Sequence, residues 1–228
     1  MIQVAILAGG LGTRMRPFTE TVPKPMITVL GRPFLDHLID LLKRNGARRF
    51  VLLVSYLGHV IQDYLGDGSK HGIEVLYSYE HEPLGTGGAL KNAAGLLEGN
   101  FLVVHGDTLL DIDYQAMVAD FEARQTEAMI AAYFHQAQAV PSNLAISPDG
   151  TVVEYVKQRP TGEYVDAGVV ALRKSILDLI PSDRKCSLEQ EVFPTLIASG
   201  QMKAWKTQIN FYDMGTPSGL ASLEAHLR

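Results

Sequence analysis

The chain is 228 residues long and 46% of its side chains are apolar, enough to fill a core, which excludes an intrinsically disordered chain. Its 20 Lys and Arg stand against 25 Asp and Glu, so a formal net charge of -5 offers no global basic field to a nucleic-acid backbone; anionic ligands must be met locally. The single cysteine, Cys186, excludes a disulfide framework or a cysteine-built zinc cluster and fits a reducing cytoplasm.

In chain order, 2–7 is an apolar run with no basic lead that passes straight into glycines, so it reads as a strand and not a secretory signal. No apolar run is long enough to cross a bilayer, and the expectation is a soluble cytoplasmic protein with no membrane partner. Strand-like runs at 50–54, 73–77 and 101–104 alternate with helix-period segments at 33–45, 58–65 and 87–97, the rhythm of a parallel sheet with helices on both faces. After a helix near 113–125 come runs at 129–134, 144–147, 152–156 and 165–172, with Pro148-Asp149-Gly150 marking a turn; these add antiparallel strands to the same sheet. Helical segments near 174–179, 187–199 and 217–227 follow, the last preceded by a strand-like 209–212. With no Pro, Gly or Ser linker, the expectation is one α/β domain over 1–228, a Rossmann-like, mixed, mostly parallel sheet flanked by helices.

Ligands of such sheets sit beyond the carboxyl ends of the strands. After the first run stands Leu7-Ala8-Gly9-Gly10-Leu11-Gly12-Thr13-Arg14-Met15-Arg16, whose glycines let a phosphate approach backbone N–H groups. Lys24, between Pro23 and Pro25, adds a third cation to Arg14 and Arg16. Met15 occupies the place where a dinucleotide fingerprint needs its third glycine, and the Gly-Lys-Ser/Thr of a Walker A loop is missing. The alternative is an ordinary strand-to-helix turn with solvated arginines.

Asp107 and Asp213 each follow a strand-like run, and a magnesium ion on nucleotide phosphates needs one or two such carboxylates. Either aspartate could instead cap a helix, although Asp113 is the better cap for the helix that starts beside it. A second glycine loop, Glu80-His81-Glu82-Pro83-Leu84-Gly85-Thr86-Gly87-Gly88, leads into a helix; Glu82 could accept the ring and exocyclic N–H groups of guanine, while Thr86 and the glycines could simply start the helix. Ser187, with Glu189 and Gln190 behind it, has the look of an N-terminal cap. Seven histidines without an i, i+4 pair make zinc unexpected, and no serine has a nucleophile-elbow context.

The pairing of Gly-Gly-x-Gly-Thr-Arg-Met at 9–15 with Pro-Lys-Pro at 23–25 resembles the sugar-1-phosphate nucleotidyltransferases. The resemblance implies transfer of a nucleoside monophosphate from an NTP to a sugar 1-phosphate, giving an NDP-sugar and pyrophosphate, with Mg2+ on Asp107 and Asp213. Leu7, Ala8, Gly9, Gly10, Gly12 and Thr13 would line the nucleotide, Arg14 would meet the β and γ phosphates and Lys24 the α region. Glu82, Gly85, Thr86 and Gly87 would lie by the base. On the sugar side it implies Lys157 on the acceptor phosphate, with Gln158 where relatives carry proline. Asp166 and Gly168 would meet sugar hydroxyls where relatives usually carry Asn-Ala-Gly or Asn-Gly-Gly, and Glu189 would approach the sugar.

Val54-Ser55-Tyr56 and 82–88 are most similar to the short D-glycero-α-D-manno-heptose 1-phosphate guanylyltransferases, which implies GTP as donor and GDP-heptose supply for a surface polysaccharide. Mannose 1-phosphate guanylyltransferases and uridylyl- or thymidylyltransferases remain alternatives. A non-catalytic nucleotide-sugar sensor is the rival from another class; the retained Arg14, Asp107 and Asp213 speak against it. Apolar helix or strand surfaces leave a homo-oligomer open without indicating a face.

Overall fold

The computed structural model describes residues 2–135, 142–156, 163–182 and 184–228. β1 (Ile2–Leu7) sets the frame: Val4 and Ile6 point into one apolar cluster and Ala5 into another on the opposite face, the period of 2 that a strand buried on both sides requires. A short hairpin, β2 (Thr28–Val29) and β3 (Arg32–Pro33), leads into α1 (Phe34–Arg44), whose Phe34, Leu35, Leu38, Leu41 and Leu42 form one buried stripe. Then come β4 (Ala47–Val54), α2 (Gly58–Leu65), β5 (Glu74–Tyr79), α3 (Gly85–Asn92) and β6 (Asn100–His105). β1 pairs in parallel with β4 and β6, and β4 with β5, as the alternating pattern predicts.

β7 (Thr108–Leu110) and α4 (Tyr114–Arg124) precede β8 (Ala128–Phe134), the hairpin of β9 (Leu144–Ile146) and β10 (Val152–Tyr155), and the long β11 (Tyr164–Arg173). α5 (Phe193–Ala198), β12 (Met202–Thr207), β13 (Phe211–Asp213) and α6 (Pro217–Leu227) follow. The nine-stranded sheet runs β12-β8-β11-β6-β1-β4-β5 across its body, and β9 with β10 joins the start of β11 through Tyr164 and Leu144. Along that body only β11 opposes its neighbours; β8 and β12 run with β6, so the second half contributes fewer antiparallel strands than its sequence suggests.

Two further segments differ from expectation. The helix expected over 187–199 is a π-helical turn, Leu188–Val192, followed by α5, and that over 174–179 is a 3-10 helix. β12, absent from the sequence reading, buries Met202 and Ala204 while Lys203 and Trp205 alternate with them. Among the described residues no helix is long and apolar enough to cross a membrane.

Candidate nucleotide and sugar-phosphate site

The parallel pairing brings the ends of β1 and β6 side by side, and the two strand-end aspartates are tied together there. Gly106 donates its N–H to Leu7 O at 3.0 Å, and a Cβ at that position would lie 2.7 Å from the same oxygen, so only glycine lets the chain turn toward Asp107. β7 and β13 then form a two-stranded ribbon in which Asp213 faces Thr108, and Met214 N–H donates to Asp107 O at 3.0 Å. Residues more than a hundred positions apart are thereby held by backbone bonds.

Lys24, buried although charged, donates to Asp107 Oδ2 and lies 3.8 Å from Asp213 Oδ1. Burial by itself would raise the Asp107 carboxyl. The Lys24 ammonium, by its charge and its hydrogen bond, outweighs that with help from His105 and Thr108 and holds it below the usual carboxylate range. Gly215 donates to Asp213 Oδ1 at 2.7 Å, and a Cβ there would sit 3.1 Å from an Nη of Arg14; the missing side chain is what lets the exposed Arg14 guanidinium rest beside Asp213. Lys24, Asp107 and Asp213 thus meet in one place, with Arg14 at Gly215 beside them.

The first glycine loop divides into two kinds of residue. Leu7, Gly9 and Gly10 line a cleft of about 270 Å³, and the space around Gly10 is open. Ala8 extends the sheet instead, donating its N–H to Leu53 O at 2.9 Å. Gly12, at φ +60°, turns the loop against Thr19, whose hydroxyl donates to Gly12 O at 2.8 Å; Thr13 is exposed and Met15 is buried in the core, so the methionine is an anchor for the loop. No α-helix follows directly: Pro17, Pro23 and Pro25 fall among three 3-10 turns ahead of the β2–β3 hairpin, and the last of these turns carries Lys24 inward.

Across the cleft the second glycine loop supplies Glu80, Pro83, Gly85, Thr86 and Ala89, joined by His105, Asp107 and Lys185. Glu82 is exposed and is not among the lining residues; Glu80, two positions earlier, is. Glu80 Oε2 accepts Leu84 N–H at 2.8 Å, and burial pushes its carboxyl up despite that bond. Gly87 and Gly88 donate to Cys186 O at 3.0 and 3.1 Å, and a Cβ at Gly85, already at φ +75°, would lie 2.6 Å from that oxygen. These glycines admit the 184–188 segment against the start of α3, and Gly87 packs there without lining the cleft. Lys185, which no sequence signal marks, reaches the cleft by this route.

A narrow pocket of about 10 Å³ lies beyond Leu7 and His105, which line both spaces, and it collects Asp166, Gly168 and Glu189. Glu189 is buried; its Oε2 accepts from the hydroxyls of Thr86 at 2.8 Å and Ser187 at 2.5 Å. Ser187 also accepts Gln190 N–H at 3.3 Å, the cap its sequence suggests, while Glu191 is exposed and pairs with Arg184. Asp113 caps α4, accepting Ala116 N–H at 2.9 Å. Lys157, expected on the acceptor phosphate, lies outside the described residues.

An open α/β sheet whose strand tips gather a glycine loop, two cations and two carboxylates defines a phosphate-handling protein of the nucleotide-binding kind. The nucleotidyl transferase family model matches residues 3–228, and the chain belongs to that family of sugar-1-phosphate nucleotidyltransferases. It is 34% identical over 234 residues to a mannose-1-phosphate guanylyltransferase of Mycobacterium tuberculosis, across 99% of this chain and 64% of the relative. It is 30% identical over 217 residues to a UTP–glucose-1-phosphate uridylyltransferase of Synechocystis, across 87% of this chain and 56% of the relative. The chain therefore spans a little under two thirds of the length of the curated relatives it matches. Among solved structures, HddC from Yersinia pseudotuberculosis superposes with a TM-score of 0.88 at 33% identity over the whole of both chains. HddC complexed with GMP-PN gives 0.86 at 32%, again over the whole of both chains.

Proposed function

We propose that this chain transfers a nucleoside monophosphate from an NTP to a sugar 1-phosphate, with GTP as donor and D-glycero-α-D-manno-heptose 1-phosphate as acceptor, in the cytoplasm. The observation that carries the reading is the convergence of Lys24, Asp107 and Asp213 beside a cleft that Asp107 lines, with Arg14 close to Gly215. Two hard carboxylates already converging on one ammonium fit Mg2+, which takes one or two protein carboxylates and completes its shell with phosphate and water oxygens. Asp107 and Asp213 would hold it, and bound there it would neutralise phosphate charge and polarise the α-phosphoryl group.

The rest of the work belongs to the chain. An acceptor phosphate oxygen forms a bond to the α-phosphorus as the bond to pyrophosphate breaks; that oxygen is already ionised, so the reaction asks for no general base. The protein has to hold two mutually repelling polyanions in line. In this reading Lys24 meets the α-phosphate, Arg14 with the amides around Gly9 and Gly10 meets the β and γ phosphates, and Lys185 adds charge to the rim. Glu80, lining the cleft with a carboxyl that burial destabilises, has the chemistry to accept the two N–H donors on one edge of guanine. The GMP-PN complex of a 32% identical structure supports the guanine assignment. Mannose 1-phosphate is the second acceptor reading, favoured by the 34% identical guanylyltransferase.

Pyrophosphate release measured with GTP, UTP, dTTP and CTP against a panel of sugar 1-phosphates tests this directly. GTP with the heptose 1-phosphate should give the highest kcat/KM; a UTP or dTTP preference overturns the guanylyl assignment, and no release with any pair overturns the activity. Asp107→Asn should fold with an unchanged circular-dichroism spectrum yet lose Mg2+-dependent turnover by about 10²-fold or more. Near-normal turnover would remove Asp107 from the metal site.

A further inference from the structure

Asp166 is held from three sides. Its Oδ1 accepts Gly168 N–H at 2.8 Å, its Oδ2 accepts the Tyr155 O–H at 2.8 Å, and its own N–H donates to Asn143 Oδ1 at 2.9 Å. Tyr155 is not among the lining residues of the narrow pocket; its ring packs edge-on against Phe193 with centroids 5.6 Å apart. Burial and the carboxylates of Asp166 and Glu189 push the phenol well above its ordinary value, so its proton stays in place to be donated.

Building on the activity read above, we propose that Tyr155 is a positioning residue that fixes Asp166 as an acceptor-only group in the sugar pocket. Asp166 with Glu189 then selects sugar 1-phosphates that present free hydroxyls at that end. The chemistry separates the carboxylate from an amide. An asparagine at 166 would have to keep its oxygen on Gly168 N–H, turning its NH2 toward the Tyr155 oxygen and expelling the phenolic proton from that bond. The carboxylate offers only lone pairs, and Tyr155 and Gly168 fix their direction. Glu189 brings a second set of lone pairs to the same pocket, oriented by Thr86 and Ser187. A sugar hydroxyl can donate to either group. A deoxy position leaves the lone pairs that Gly168 and Tyr155 do not fill without a donor, and a uronate carboxylate adds a like charge; both are rejected for reasons of the site and not of size.

The test is steady-state kinetics and calorimetry on wild type, Tyr155→Phe, Asp166→Asn and the double variant, with a matched pair of parent and deoxy sugar 1-phosphates. Tyr155→Phe should raise KM and Kd for the parent sugar 1-phosphate about tenfold and shrink the parent-over-deoxy preference. It should leave kcat and the GTP KM within about twofold, because one charge-assisted bond on the sugar side alone is lost. In the Asp166→Asn background the same change should have no further effect on KM, since Tyr155 acts through Asp166. An unchanged sugar KM in a folded Tyr155→Phe protein, or an equal penalty in both backgrounds, overturns the proposal and leaves the activity standing. A wild-type chain that binds no sugar 1-phosphate overturns both.

Discussion

Glu80 and Glu82 show how much depends on the direction of one side chain. Both are carboxylates at the tip of the same strand, and nothing in local sequence separates them; the turn closed by Leu84 N–H on Glu80 brings one into the cleft and leaves the other in solvent. A carboxyl whose folded-state pKa is raised by burial binds its proton more tightly folded than unfolded, so its contribution to stability is present below the ordinary carboxylate pKa and lost as pH rises through the raised value. Glu80→Gln, which can still accept Leu84 N–H, should therefore raise Tm by up to a few degrees at about pH 7 and leave it unchanged at about pH 3.5. The same variant should raise the GTP KM about tenfold or more, since the amide cannot accept both donors of the base edge. Thermal melts at the two pH values and GTP kinetics check it; an unaltered GTP KM removes Glu80 from base recognition. Arg14 and Lys24 stand out in the sequence because glycines and prolines flank them in fixed spacing, and the aspartates because each follows a strand-like run. Lys185 and Tyr155 do not, because each reaches the site through contacts with residues far away in sequence.

At the level of elements, α6 shows how the start of a helix can fix the place of a carboxylate outside it. It is capped by Thr216, which accepts Gly219 N–H at 3.1 Å, and a Cβ on Gly219 would fall 2.0 Å from the backbone oxygen of Asp213. The helix start is pressed onto the very peptide whose side chain meets Lys24. Gly219→Ala must displace either α6 or Asp213, and it should cost about 1–3 kcal/mol of stability and a larger share of Mg2+-dependent turnover than the melt alone explains. Ser222→Ala, one turn on and bonded only within the helix, should be silent in both measurements. Wild-type turnover in a Gly219→Ala protein would show that the contact is not transmitted to the site. The alternation of strands and helices over 2–105 could be read from periodicity because β1, β4 and β6 are buried along nearly their whole length and α1 buries a single stripe. β12 escaped that reading: its lysines break the apolar run, and its place beside β8 depends on a long-range pairing that local pattern does not record. The π-turn at 188–192 escaped for a related reason, since the segment is shaped by Glu189 reaching Thr86 across 103 positions.

On the scale of the molecule, the proposed reaction asks a chain of net charge -5 to bring together two polyanions, so attraction must come from the few cations gathered at one edge and not from the overall field. That arrangement has a stability consequence. Glu80, whose charged form burial disfavours, gains hydrogen-bond donors when the nucleotide binds, and a ligand held only by the folded state adds RT ln(1 + [L]/Kd). GTP with Mg2+ at about a hundred times its Kd should contribute about 2.7 kcal/mol. At roughly 2–4 °C per kcal/mol for a chain of this length, Tm should rise by roughly 5–10 °C. UTP with Mg2+ at equal concentration should raise it less, because Glu80 has fewer donors to accept from uracil, and the difference should vanish in Glu80→Gln. A melt unmoved by GTP and Mg2+ would mean that the strand-tip constellation does not hold a nucleotide, whereas equal shifts with UTP would leave the phosphate clamp intact and take base selection away from the cleft wall.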